Sequence, residues 1–128
     1  LMKNNRKSLI KKLDTVFSEY IRKRTADHNG YVECYTCGKR DHWKKMQCGH
    51  FQSRKHYSTR WHEDNCQVQC VGCNMFRAGE QYKFGLKLGT KKAKKLYFLA
   101  KETKKFNNFD LLEMIERYKE LNESSATS

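Results

Sequence analysis

Proline is absent from this chain, and no apolar run approaches the roughly 20 residues that a membrane-spanning helix needs. Breaks between elements therefore fall to glycine and asparagine, and a helical membrane span and the apolar core of a signal peptide are both excluded. Acidic residues are scarce too: 14 Asp and Glu stand against 27 Lys and Arg, a formal net charge of +13. That imbalance points to a polyanionic partner, because each neutralised phosphate releases counterions on binding. A basic protein that is merely soluble, such as a ribosome-associated one, has the same balance. With 128 residues, 32% of them charged, and a mean hydropathy of −0.98, the chain fits one domain with a modest core that a metal would help to staple. The opening Leu1-Met2 is expected to be a trimmed or engineered start.

Cysteine is what the chain has in quantity. Six cysteines without a secretory signal favour metal ligation over disulfides, and hence a reducing cytoplasm. Cys34 and Cys37 form one CxxC pair and Cys70 and Cys73 another. Two such pairs are what a tetrahedral structural zinc needs, with all four positions filled and none left open for chemistry. Cys48 and Cys66 are then surplus and are expected to be small packed residues. An alternative has Cys48 or His50 replacing a knuckle cysteine, which would make His50 a structural ligand. His28 and His42 are expected to be solvated, His62 to cover apolar surface, and Trp43 and Trp61 to pack against the zinc frame instead of stacking on bases.

Helical spacing organises the two flanks. Leu9, Leu13, Val16, Phe17, Tyr20 and Ile21 line one face of a helix over residues 6–24, with Lys11, Lys12, Asp14, Glu19 and Arg22 opposite. Asp27 to Gly30 reads as the turn that ends it. Residues 31–79 form a loop-rich core, with strands at Tyr31 to Glu33, Met46 to Gln52 and Asn65 to Gln69, and a helix starting near Asn74. Residues 90–122 hold two helices: a basic one from a Thr90 N-cap to Lys105, and, after a break at Asn107-Asn108, one opened by Asp110 and Glu113 at a capping-box spacing. Leu111, Leu112, Met114, Ile115, Tyr118 and Leu121 supply the apolar face of the latter. Residues 123–128 are expected to be a disordered tail. The fold class is thus α+β, a small zinc-stapled core flanked by helices at both ends.

Between and just after the knuckles lie His50, Asn65 and Asn74. Phosphodiester hydrolysis needs an activated water, which a neutral histidine supplies as general base. It also needs charge stabilisation and help for the leaving oxygen, which a divalent ion supplies. His50 is the expected base, Asn65 the residue that orients it or fixes its loop, and Asn74 the carboxamide ligand for Mg²⁺ or Mn²⁺. Arg54, Lys55, Arg60 and Arg77 flank this site and are candidates for phosphate contacts. Lys91, Lys92, Lys94 and Lys95 offer a second basic surface. For each of these charges, simple solvation is the plain alternative.

Gly49-His50, Asn65 to Cys70 and Cys73-Asn74 resemble the HNH, or ββα-metal, nucleases in the variant whose third letter is Asn. More narrowly, Gly49 to Arg54, Thr59-Arg60-Trp61, Asn65, Gln69 to Asn74 and Gly79 resemble the NinG (Rap) family of phage recombination endonucleases, and the likeness covers most of the chain. The resemblance implies a phage-encoded protein, working in the bacterial cytoplasm, that cuts Holliday junctions and D-loops, with His50, Asn65 and Asn74 in the roles above. One departure stands out. Most such nucleases have Asp or His before the base, as a second metal ligand, where this chain has Gly49. His56, Glu63 and Asp64 are the nearest replacements, of which His56 and Glu63 are the expected second ligands. Two cuts at a junction predict a homodimer, at least on DNA, with the last amphipathic helix as its interface. The alternatives are a non-catalytic zinc-ribbon DNA-binding module, or an HNH nuclease in restriction or DNA packaging.

Overall fold

A computed structural model describes residues 5–126, with only the backbone described at 125 and 126; the reading of Leu1-Met2 lies outside that range. The first described element is α1 (Arg6–Lys23), whose N-cap Asn5 accepts a hydrogen bond from the Ser8 amide at 2.8 Å. Leu9, Leu13, Phe17 and Ile21 recur at helical spacing and are all buried. They pack against α5 (Asn108–Ala126), which buries Leu111, Ile115 and Tyr118. The Phe17 and Tyr118 rings meet edge to face at 5.1 Å. At about 1.5–3 kcal/mol per fully buried side chain, this interhelical stripe is the main apolar contribution to the fold.

Between these helices lie two antiparallel pairs of strands. β1 (Tyr31–Glu33) pairs with β2 (Arg40–His42), and the first knuckle forms the turn that joins them. β3 (Gln47–His50) pairs with β4 (Cys66–Gln69) in a register that sets Cys48 opposite Val68 and His50 opposite Cys66. The long β3–β4 connection holds the short α2 (Tyr57–Arg60) and a 3₁₀ turn at Glu63–Asn65. After β4 the second knuckle runs into a single π-turn, Gly72–Phe76, closed by the Arg77 amide on the Gly72 carbonyl at 2.9 Å. Val32, Cys34, Met46, Val68, Cys70 and Cys73 form a second, smaller core around the knuckles. α3 (Gln81–Leu88) seats Phe84 against Tyr35 and Phe51, and α4 (Thr90–Ala100) buries Leu96 and Ala100.

The architecture is α+β, with two small two-stranded sheets among helices. Several boundaries differ from the sequence reading. The segment near Asn74 is a π-turn and not the start of an α-helix. α4 is entered at Gly89, and Thr90 is its first helical residue instead of its cap. Asn107 does not break a helix but opens one: its Oδ1 accepts from the Asp110 amide at 2.8 Å while Asp110 Oδ2 accepts from the Asn107 amide at 2.9 Å. That reciprocal pair is a capping box three residues N-terminal to the one expected at Asp110 and Glu113. The expected disordered tail is helical through Ala126, an extension of α5; residues 127 and 128 lie outside the described range. The apolar stripe of α5 expected to join two copies is occupied by α1, leaving Phe109 and Leu112 outward.

Candidate active site

The knuckle cysteines come from two places, the β1–β2 turn and the end of β4, and the four sulfurs lie within 4.8 Å of one another. Cys37 and Cys70 Sγ are 3.7 Å apart. A tetrahedral ion with zinc–sulfur bonds of about 2.3 Å sets its sulfurs about 3.8 Å apart, so the residues fit zinc. Donors aimed at sulfur complete the fit: the Cys73 amide lies 3.4 Å from Cys70 Sγ, and an Arg77 guanidinium nitrogen lies 3.2 Å from Cys73 Sγ. Burial opposes ionisation of Cys34, yet hydrogen bonds from Cys70, Thr36 and Cys37 hold it at about 6. At Cys37 the Lys39 amide favours the thiolate, but burial and the three neighbouring sulfurs push it up to about 12. Four sulfurs this close resist a full set of negative charges until a cation sits among them.

A cleft of about 490 Å³ opens between α1 and the β3–β4 pair. His50, Asn74, Gln47 and Cys48 line one wall; Lys11, Asp14, Ser18 and Arg22, one stripe of α1, line the other, with Arg54 at the edge. His50 Nε2 lies 3.0 Å from the Arg60 carbonyl oxygen. A carbonyl only accepts, so Nε2 carries the proton and Nδ1 keeps a lone pair. Burial is the largest cause that pulls the imidazole pKa below its usual value, aided by the Arg54 and Arg60 charges and opposed by the Arg60 carbonyl and Asp14. The ring is thus held neutral, with one nitrogen able to take a proton.

Asn74 donates one hydrogen bond from Nδ2 to Gln47 Oε1 at 2.7 Å and lines the cleft; its Oδ1 is a hard oxygen of the type that could hold a divalent cation. Asn65 is fully buried, and its side-chain hydrogen bonds go to the loop instead of the imidazole. Its Oδ1 accepts from the Gln52 amide at 2.7 Å, and its Nδ2 donates to the Gln52 and Thr59 carbonyls at 3.1 and 3.0 Å. It therefore pins the loop that ends, one residue later, in the carbonyl holding His50.

Asp14 is the residue that sequence reasoning missed. Its carboxylate accepts from Arg60 at 3.0 and 2.6 Å, from Trp61 Nε1 at 2.9 Å and from Arg54 at 3.0 Å. Although burial opposes it, these partners hold the Asp14 pKa below its ordinary value. α1 thereby fixes Arg60, whose backbone orients His50. The signal was present as Lys11, Asp14, Ser18 and Arg22 at helical spacing, a polar stripe indistinguishable in sequence from a solvated face.

The structure brings neither expected second ligand to the cleft. His56 stands at the start of α2, outside the lining. Glu63 is engaged by Tyr118 Oη at 2.8 Å and faces Arg24 and Arg117, between α1 and α5. The absence of a side chain at position 49 has a steric cause: a Cβ there would collide with the carboxamide of Gln69, which is buried and tied to Thr36 and the Gly79 carbonyl. Among the expected DNA contacts, Arg54 lines the cleft, while Arg60 is committed to Asp14. Arg77 lies against the second knuckle and pairs with Glu80. Lys55 is exposed on the loop before α2; Lys91, Lys92, Lys94 and Lys95 are exposed on α4, away from the cleft, with Lys92 3.8 Å from Asp64. Trp61 is buried in the helical core and Trp43 is half-buried beneath Arg22 and Lys23. No described helix is long and apolar enough to cross a membrane. The family described as Bacteriophage Lambda NinG protein matches residues 2–125. No curated protein and no solved structure matches the chain.

Proposed function

The chain belongs to the bacteriophage lambda NinG family, and from that premise we propose that it is a metal-dependent DNA endonuclease of HNH type acting on branched recombination intermediates, Holliday junctions and D-loops. The observation that carries this reading is the 3.0 Å contact between His50 Nε2 and the Arg60 carbonyl oxygen, from which the tautomer follows. Its Nε2–H is committed to the Arg60 carbonyl and burial keeps it neutral, so Nδ1 is the general base that draws a proton from the attacking water. Asp14 holds Arg60, and Asn65 holds the preceding residue, so the base is aimed by the loop beneath it. Lys11 and Arg54 line the cleft and would bind phosphate oxygens beside the cut. Asn74 Oδ1 would hold Mg²⁺ or Mn²⁺, which would offset charge on the phosphate and the leaving 3′ oxygen. One protein oxygen is few for such an ion; Mg²⁺ commonly keeps several waters and completes its shell from substrate phosphates. Zinc in the knuckle is structural, and two copies acting together on one junction account for two cuts.

A second reading is favoured by one observation. With Gly49 bare and neither His56 nor Glu63 in the cleft, a zinc-stapled module could bind DNA without cutting it. The deciding experiment is cleavage of a labelled four-way junction beside a linear duplex of the same sequence, with Mg²⁺, Mn²⁺ or no metal, for wild type and His50→Ala. Metal-dependent cutting of the junction alone, lost in the variant, supports the proposal. Equal cutting of both substrates moves the role toward restriction or packaging. Tight binding without cutting under any metal leaves the binding module.

A further inference from the structure

The strand face that presents His50 also presents two thiols outside the knuckle. Cys48 and His50 are alternate residues of β3 and so point to the same side, and Cys66 stands directly across from His50 on β4. One ligand atom from each of Cys48, His50 and Cys66 lies within 4.8 Å of the others. Cys66 Sγ and His50 Nε2 both face the Arg60 carbonyl oxygen, at 3.8 and 3.0 Å, so sulfur and imidazole share one pocket. Cys66 is fully buried and Cys48 is half-buried on the cleft wall.

A disulfide does not suit this pair. The two cysteines are diagonal neighbours across the strands, a relation that sets such residues about 7–8 Å apart. Disulfides need Cα atoms about 4.4–6.8 Å apart. An ion between the sulfurs removes the mismatch, because metal–sulfur bonds of about 2.3 Å hold two sulfurs almost 4 Å apart without moving the strands. The donor set then chooses the ion. Two thiolates and an imidazole prefer Zn²⁺, Cd²⁺ or Cu⁺ and are poor ligands for Mg²⁺. We propose that Cys48, Cys66 and His50 form a second, thiophilic metal site, open at its fourth position toward the cleft, and that filling it shuts off hydrolysis. Binding releases the two thiol protons to solvent and takes an imidazole lone pair. Coordination through Nδ1 removes the base directly; coordination through Nε2 transfers the remaining proton to Nδ1 with the same result. The inhibitory half rests on the function proposed above, whereas the site itself does not.

The test is native mass spectrometry of zinc-loaded protein titrated with Zn²⁺, for wild type and Cys48→Ser, with thiolate-to-metal absorption on added Cd²⁺ as a second readout. Wild type is expected to pass from one bound ion to two at micromolar Zn²⁺. Cys48→Ser, which keeps the knuckle ion as proof of folding, is expected to stop at one. A wild type that never takes the second ion, or a variant that takes it equally well, overturns the site. In Mg²⁺-supported junction cleavage, micromolar Zn²⁺ should lower the wild-type rate at least tenfold and leave Cys48→Ser near its own zinc-free rate. Cleavage with no second ion rejects the site and leaves the nuclease standing. A second ion bound through Cys48, with no cleavage under any metal, keeps the site and rejects both the nuclease and the inhibitory role.

Discussion

Two cores of different chemistry meet at β3 and β4. On one side Leu9, Leu13, Phe17, Ile21, Leu111, Ile115 and Tyr118 close a pair of long helices over Trp61 and Cys66. On the other, Val32, Met46 and Val68 surround three cysteines of the knuckles. The first is held by apolar contact among its side chains. The second has three aliphatic side chains and strands of three and four residues, so its order depends on whatever ion its sulfurs hold. The candidate site draws on both, with His50 and Asn74 from the sulfur side and Asp14 from the helical side. A site built this way is as rigid as the weaker of its two halves.

The largest expected effect tests that division. Removing zinc, or replacing Cys37 by Ser, should withdraw a binding energy of the order of 10–16 kcal/mol seen in zinc-finger peptides. Amide exchange should rise sharply at Val32, Cys34 and Cys73 while Leu13 and Ile115 keep much of their protection. Simultaneous loss in both halves would show a single cooperative unit and break the comparison. Next, His50→Ala should lower cleavage by roughly 10²–10⁴-fold with junction affinity unchanged by gel shift. The acid limb of its kcat/KM profile follows from the same group. The neutral form is the active one and its pKa is lowered, so activity should appear as pH rises through a value below the ~6.5 of a free imidazole. A limb at or above that value would remove His50 from the role.

How far this was legible in the sequence differs between the halves in the same way. The cysteine spacing and the apolar periodicity of α1 and α5 were readable because each is a local pattern; His50 and Asn74, singled out in the sequence, both line the cleft. Asp14 was not, since its partners Arg60 and Trp61 lie 46 and 47 residues away and no local pattern joins them. α3 was missed because Tyr82, Phe84 and Leu86 alternate as strand residues do, and only Phe84 is buried. The helical end of the chain was missed because its small polar residues extend a helix nucleated and packed further upstream.

Smaller effects sharpen the seam between the halves. Asp14→Asn should cost about 1–3 kcal/mol in urea unfolding, since Arg60 loses its charged acceptor, and should lower kcat more than it raises KM. An unchanged kcat would confine Asp14 to stability. Because the Asp14 pKa is depressed, its contribution is present above the ordinary carboxylate value and is lost as pH falls through the folded one. The smallest effect concerns α4. If Lys91, Lys92, Lys94 and Lys95 touch phosphate, each change to Ala should reduce the salt slope of binding by about 0.9. An unaltered slope would make them a solvated face.

The π-turn has one more consequence. Cys73, whose sulfur would help hold a structural ion, and Asn74, proposed above as the oxygen donor of the cleft, are adjacent residues in a single turn whose backbone is clamped at both ends by the Cys70 and Gly72 carbonyls. The two centres are therefore mechanically in series, like a gauge block behind a cutting edge. Exchanging zinc for the larger cadmium would lengthen every bond to sulfur, shift the turn, and carry the Asn74 oxygen with it. On the function proposed above, an ion that never meets the substrate would then set the preference for Mg²⁺ over Mn²⁺ at the one that does.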